Sequence, residues 1–169
     1  SETPYTVRVD ECLKGFQLIK KTFNINKFND IDIAMIDDAL QSHPKLFKRL
    51  KHVITENQRV ISMHQALINM SVKQIGSLLT LSHQSLANDY EVSCLEVEYL
   101  MHIASRCNGW IGGRMIGGGF GGCTLHYVQK TSSNKFSDIL QREYVNKFKI
   151  IPEILKVHFN GGAFTMSLS

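Results

Sequence analysis

Apolar positions recur at intervals of three and four through the first two thirds of the chain, and at intervals of two in much of the last third. Thr3 before Pro4 reads as an amino-terminal cap with proline in the first helical turn, and Val9, Leu13, Phe16, Ile19 and Phe23 form one stripe behind it. The pattern predicts a shorter helix from about Asp30 to Leu40, an interruption at His43 and Pro44, and a longer helix with Leu46, Leu50, Val53, Val60 and Ile61 facing inward. Another helix is predicted from about Ser71 to Ala87. Ser93 to Glu96 fits a capping box, opening a helix that carries Val97, Leu100, Met101 and Ala104 on one side and ends near Asn108 and Gly109. Trp110 to Ile116 and Cys123 to Val128 read as strands around the loop Gly117 to Gly122, and helical spacing returns from Phe136 to Phe148. Ile154 to Phe159, the Asn160-Gly161 turn and Ala163 to Leu168 predict a closing hairpin. Helices first and strands later give an α+β class, with helices packed on a mostly antiparallel sheet. No linker or repeat divides residues 1–169, so one domain is expected.

Composition narrows the function classes. The chain has 169 residues, 43% of them hydrophobic, which is enough for one core. The formal charge of +4 is spread without basic blocks or repeated aromatics, so nucleic acid is not an expected partner. No apolar run has the length of a membrane span, and no membrane partner is expected. Cys12, Cys94, Cys107 and Cys123 include no CxxC pair, and reduced thiols in a cytoplasmic protein are the simpler reading. The seven histidines show no metal-ligand spacing. Ser1 stands almost at a helix start, with no initiator methionine, so a longer polypeptide is expected.

The most informative stretch is GGRMIGGGFGGCTLHYV, Gly112 to Val128. Gly117, Gly119 and Gly122 satisfy GxGxxG, but a dinucleotide fingerprint requires a helix after the loop. Here Cys123, Leu125 and Tyr127 alternate with Thr124, His126 and Val128, which is strand periodicity. A protein-kinase glycine loop does lie between strands, but no VAIK-like lysine, HRD or DFG motif follows, and no GK[ST] marks a P-loop. What remains is a run lacking side chains, which lets backbone amides approach an anion closely, or a tight hairpin packed on another loop.

The same stretch resembles the third signature motif of the GHMP small-molecule kinases in their galactokinase branch. SHQSLANDYEVSCLEVEYL, Ser82 to Leu100, is similar to that branch's SHxSLxxDYEVSCPELDxL. HVITENQRV, His52 to Val60, resembles its HVxxExxR helix, and PYTVRVDEC, Pro4 to Cys12, its YxxRRxEC segment. The order of the matches agrees along the whole chain. The resemblance implies the carboxyl-terminal half of an enzyme that uses ATP and Mg2+ to phosphorylate the anomeric hydroxyl of galactose. It places Gly117, Gly118, Gly119, Phe120, Gly121 and Gly122 beside a nucleotide-phosphate loop contributed by an amino-terminal half, and Tyr5 on the sugar. It also requires the hairpin to keep an open face for that partner half.

Other motif residues read as structural. Ser93 and Glu96 are explained by capping, Asp89 and Tyr90 by the turn before the helix, and Glu56 with Arg59 by a surface ion pair one turn from His52. Val9, Leu95 and Glu98 depart from the arginine, proline and aspartate of the resembled motifs. The sugar motif, the PxGxGLSSSA phosphate loop and the catalytic aspartate and arginine of that branch belong to its amino-terminal half and are not found here. The chain is therefore expected to be inactive alone, with no catalytic residue of its own. An N-acetylgalactosamine kinase, a non-enzymatic galactose sensor and a freestanding interaction domain of the same fold are the competing readings.

Overall fold

The structure, a computed structural model, describes residues 3–157. Helix α1 spans Pro4–Thr22, and the Thr3 hydroxyl accepts from the Thr6 amide while the Thr6 hydroxyl accepts from the Thr3 amide, which satisfies two otherwise orphaned donors. Its buried line is Cys12, Gly15 and Ile19; of the predicted stripe, Ile19 is buried and Phe16 and Phe23 pack partly buried against the same core. Val9 and Leu13 are exposed. The reason is the close approach of α3, since a Cβ on Gly15 would stand 2.9 Å from Leu50 Cδ1. The bare position, rather than the bulky ones, faces the neighbour.

Helix α2 spans Ile33–Ala39. It starts later than predicted because Asp30 is used in a 3-10 turn, where its carboxylate accepts from the amides of Asn26 and Lys27. Asp32 then caps α2 by accepting from the Met35 amide at 2.9 Å. Helix α3 spans Pro44–Ile68, with proline in its first turn. Leu50 and Ile54 are buried, whereas Val60 and Ile61, predicted inward, are exposed, because in the second half of α3 it is Glu56, bonded to Ser82 of α4, and Ala66 that turn inward. Helix α4, Val72–Ser85, runs into a π-turn at Leu86–Tyr90 that stops at Glu91 in the left-handed region, φ 57°.

Helix α5 spans Leu95–Ser105. The predicted capping box is absent: Cys94 occupies the cap position without a side-chain bond, and the Ser93 hydroxyl instead donates to the Glu98 carboxylate. Gly109, at φ 81°, turns the chain into strand β1, Trp110–Ile116, which pairs antiparallel with β2, Cys123–Val128. Arg114 lies opposite Leu125 and Ile116 opposite Cys123, as a hairpin closed by Gly117 to Gly122 requires. Helix α6, Ser133–Phe148, begins three residues before the predicted point. Residues 154–157 are in no strand, and the rest of the predicted closing hairpin lies outside the described residues.

Among the described residues the result is a helix-rich α+β fold on a two-stranded antiparallel sheet. One core joins α1, α2 and α3 through Ile19, Ile36, Leu40 and Leu50, all fully buried. A second, formed by Val92, Val97, Met101 and Met115, sits beneath the base of the glycine hairpin, and a third joins α5 to α6 through Ala104, Phe136 and Leu140. Strand β1 is held against α4 at backbone distance. A Cβ on Gly112 would fall 2.1 Å from the Gly76 carbonyl oxygen, and one on Gly76 would fall 2.2 Å from that of Ile111.

Candidate functional site

The glycine hairpin is anchored on one side and open on the other. Gly117, Gly119, Gly121 and Gly122 all have positive φ, a conformation that only glycine adopts freely. Gly119 is pressed onto the chain after α4, where an added Cβ would lie 2.7 Å from Val92 Cβ and 2.8 Å from the Val92 carbonyl oxygen. Phe120, itself at φ 59°, donates its N–H to that carbonyl at 2.6 Å. By contrast, Cβ atoms placed on Gly117, Gly118 or Gly121 would meet nothing within 4 Å. The loop therefore presents bare backbone outward, the arrangement that lets amides approach an anion without obstruction.

The Phe120 ring is exposed but not idle. It lies over the Arg8 guanidinium, 5.8 Å from ring centre to Cζ. Arg8 also donates from Nε to the Tyr90 carbonyl at 2.7 Å, from Nη2 to the Glu91 carbonyl at 3.0 Å, and from Nη1 to Glu11 at 3.2 Å. Tyr5 stands three residues earlier on α1 and is about half exposed. Residues three apart are neighbours on a helix surface, so Tyr5 and the hairpin tip border one stretch of surface.

Beneath this surface lies a charge network that sequence reasoning missed. Arg49 is 1% exposed and donates to Glu11 at 2.7 Å, to Glu91 at 2.7 Å and to the Asp89 carbonyl at 2.6 Å. Burial opposes its charge, but the bonds to Glu11 and Glu91 outweigh burial and hold its pKa above the usual value. The bond from Arg49, with a second from Lys48, pulls the Glu91 carboxyl down to about 2. Together these bonds tie α1, α3 and the π-turn at the point where the chain turns toward Val92. The available signal was Arg49 itself, a charged residue one position before Leu50 in the apolar stripe of α3.

Glu56 and Arg59 are not a surface pair. The Glu56 carboxylate is mostly buried and accepts from Arg59 at 2.7 Å, from Arg114 of β1 at 2.9 Å and from Ser82 of α4. Burial alone would raise its pKa, but these donors lower it. His52 is buried, shares a 3.0 Å bond with Ser85 and stacks on Tyr90; burial lowers its pKa to about 4. The Asp89 carboxylate accepts from Ser85 of α4 at 3.0 Å and from Lys51 of α3 at 3.2 Å, so it is spent on tying the turn to these two helices. Among the described residues, no group of three His, Cys, Asp or Glu side chains is placed to hold a metal ion. The four cysteines are all free, and no described helix is long and apolar enough to cross a membrane.

Residues 63–146, which contain the whole glycine hairpin, match the family model described as GHMP kinases C terminal. Galactokinase of Staphylococcus saprophyticus is 32% identical over 164 residues, covering 96% of this chain and 42% of the relative. Galactokinase of Thermosipho africanus is 33% identical over 162 residues, covering 96% of this chain and 44% of the relative. Among solved structures, Lactococcus lactis galactokinase complexed with galactose superposes with a TM-score of 0.82 at 27% identity, over 89% of this chain and 39% of that one. The chain thus spans about two fifths of the length of these relatives. With the sequence matches running from one end to the other and the fold superposing on the same segment, the chain belongs to the GHMP kinases as a C-terminal domain of the galactokinase type.

Proposed function

We propose that this chain forms one wall of the cleft in an enzyme that transfers the γ-phosphoryl group of ATP to the anomeric hydroxyl of galactose. The observation that carries the reading is the open face of the glycine hairpin, anchored at Gly119 and Phe120 and bare at Gly117, Gly118 and Gly121. Phosphoryl transfer demands an acceptor and a γ-phosphate held in line, with the developing negative charge stabilised. The hairpin supplies shape to this arrangement. Its exposed backbone allows a phosphate loop of an amino-terminal half to lie against it without steric conflict, and Tyr5 offers a hydroxyl to the sugar from the adjoining surface.

The remaining requirements fall to that amino-terminal half, which is the partner proposed here. The carboxylates of Glu11 and Glu91, next to Arg8 beneath the hairpin, are engaged by Arg8, Arg49 and Lys48. Mg2+ is the expected companion of ATP, and we assign its ligands to that amino-terminal half. Four free thiols suit a cytoplasmic setting.

The test is an assay of this chain with galactose, ATP and Mg2+, alone and after addition of the amino-terminal half. The expected result is no turnover alone and galactose 1-phosphate formation by the complete protein. Turnover by the chain alone would refute the division of labour. Phosphorylation of N-acetylgalactosamine in preference to galactose, or binding of sugar and nucleotide without transfer, would replace the substrate assignment with a related kinase or a sensor.

A further inference from the structure

We infer that Arg8 is a positioning residue that sets the pose of the glycine hairpin for the nucleotide; the inference rests on the kinase reading above. Four contacts converge on this one side chain, three hydrogen bonds and one aromatic ring. Its Nε and Nη2 donate to the carbonyls of Tyr90 and Glu91, the two residues immediately before Val92. Val92 in turn accepts the Phe120 N–H at 2.6 Å. The Phe120 ring then closes back over the same guanidinium. The hairpin tip is thus held twice, once through backbone and once through the ring, and both paths lead to Arg8.

The geometry is specific to arginine. A planar guanidinium bonds two successive carbonyls with its edge while leaving its face to an aromatic ring, whereas a lysine ammonium is a point donor with no flat face. The Nη1 bond to Glu11, which also accepts from buried Arg49, fixes the guanidinium to the core. Glu91 needs this support because its left-handed backbone is unfavourable for a residue with a Cβ. Since α1 also carries Tyr5, displacement of Arg8 shifts the nucleotide side of the cleft while the first turn, capped by Thr3 and Thr6, stays in place.

The experiment uses the full-length protein and the variants Arg8→Lys and Phe120→Leu. Two quantities are read: steady-state constants for ATP and galactose, and hydrogen exchange of the Phe120 amide. Arg8→Lys is expected to raise KM for ATP roughly tenfold, with a much smaller change for galactose, and to speed Phe120 amide exchange by a similar factor, the scale of a lost charge-assisted hydrogen bond. Phe120→Leu, which removes only the ring contact, should give the same changes in smaller measure.

Unchanged ATP constants in Arg8→Lys would overturn the inference, even if amide exchange accelerates, because Arg8 would then be structural only. Equal losses for both substrates would overturn it as well. If the parent protein phosphorylates no sugar, the substrate reading fails, and ATP dissociation constants with Phe120 exchange decide the role of Arg8. Weaker ATP binding with faster exchange in Arg8→Lys upholds it; no change in either overturns it.

Discussion

Replacing Gly76 by alanine tests the closest contact in the fold. Two effects oppose each other. Alanine in place of a mid-helix glycine favours the helix by about 1 kcal/mol. Against this, the new methyl would lie 2.2 Å from the Ile111 carbonyl oxygen and 2.7 Å from both its carbonyl carbon and Cγ2. The obstructing oxygen belongs to the backbone of a paired strand, so no side-chain rotation relieves it. Bringing 2.2 Å to 3.0 Å requires helix and strand to part by about 0.8 Å. That separation strains the Met115 amide bond to His83 of α4, already 3.4 Å long. Overpacking of this kind costs about 1–3 kcal/mol, and a rigid backbone obstacle places it at or beyond the upper end. The net expectation is a loss of about 2 kcal/mol, or a fall of roughly 6 °C in Tm for a chain of this size. Trp110, the sole tryptophan, begins β1 and reports urea unfolding through its fluorescence. Gly118→Ala is the internal control: nothing lies within 4 Å of its Cβ, and its stability should stay within about 0.5 kcal/mol of the parent. A Gly76→Ala chain as stable as the parent would refute the reasoning, since helix propensity would then have outweighed the contact.

Three further outcomes are expected. Removing the Arg49 side chain by Arg49→Ala leaves Glu11 and Glu91 without their shared partner and should cost about 3–5 kcal/mol in urea unfolding at neutral pH; a loss below about 1 kcal/mol would show that the lysines and Arg8 nearby compensate. His52 and His126 are both held neutral by burial, with pKa near 4 against 6.5 when unfolded. The unfolded chain therefore binds more protons below pH 6.5, so stability is full above that value and falls as pH drops toward 4, by roughly 3 kcal/mol for the pair at about pH 5.5; urea midpoints that stay flat across this window count against it. Tyr5→Phe in the full-length protein should weaken galactose about fivefold, near 1 kcal/mol, with little effect on ATP, and unchanged galactose constants would remove Tyr5 from the sugar site.

The sequence by itself determined the order of elements from α1 to α6, the glycine hairpin and the family. These are local properties: Thr3 and Pro4 start a helix, Cys123 to Val128 alternate as a strand, and a glycine run between strands has few conformations open to it. What it left undetermined was which side of each helix faces inward. The predicted stripe is buried at Ile19 but not at Val9 and Leu13, because the approach of Leu50 to Gly15 turns the Cys12 and Gly15 side of α1 inward. The Ser93 cap failed for a related reason, since Glu98 competes for the same hydroxyl. Nor does spacing in one dimension reveal that Arg8, Arg49, Glu91 and Phe120, drawn from four segments, meet around one turn. A periodic pattern encodes what each segment prefers alone, whereas burial of a charge and support of a loop depend on which segments are pressed together, and that is settled only when the chain closes on itself.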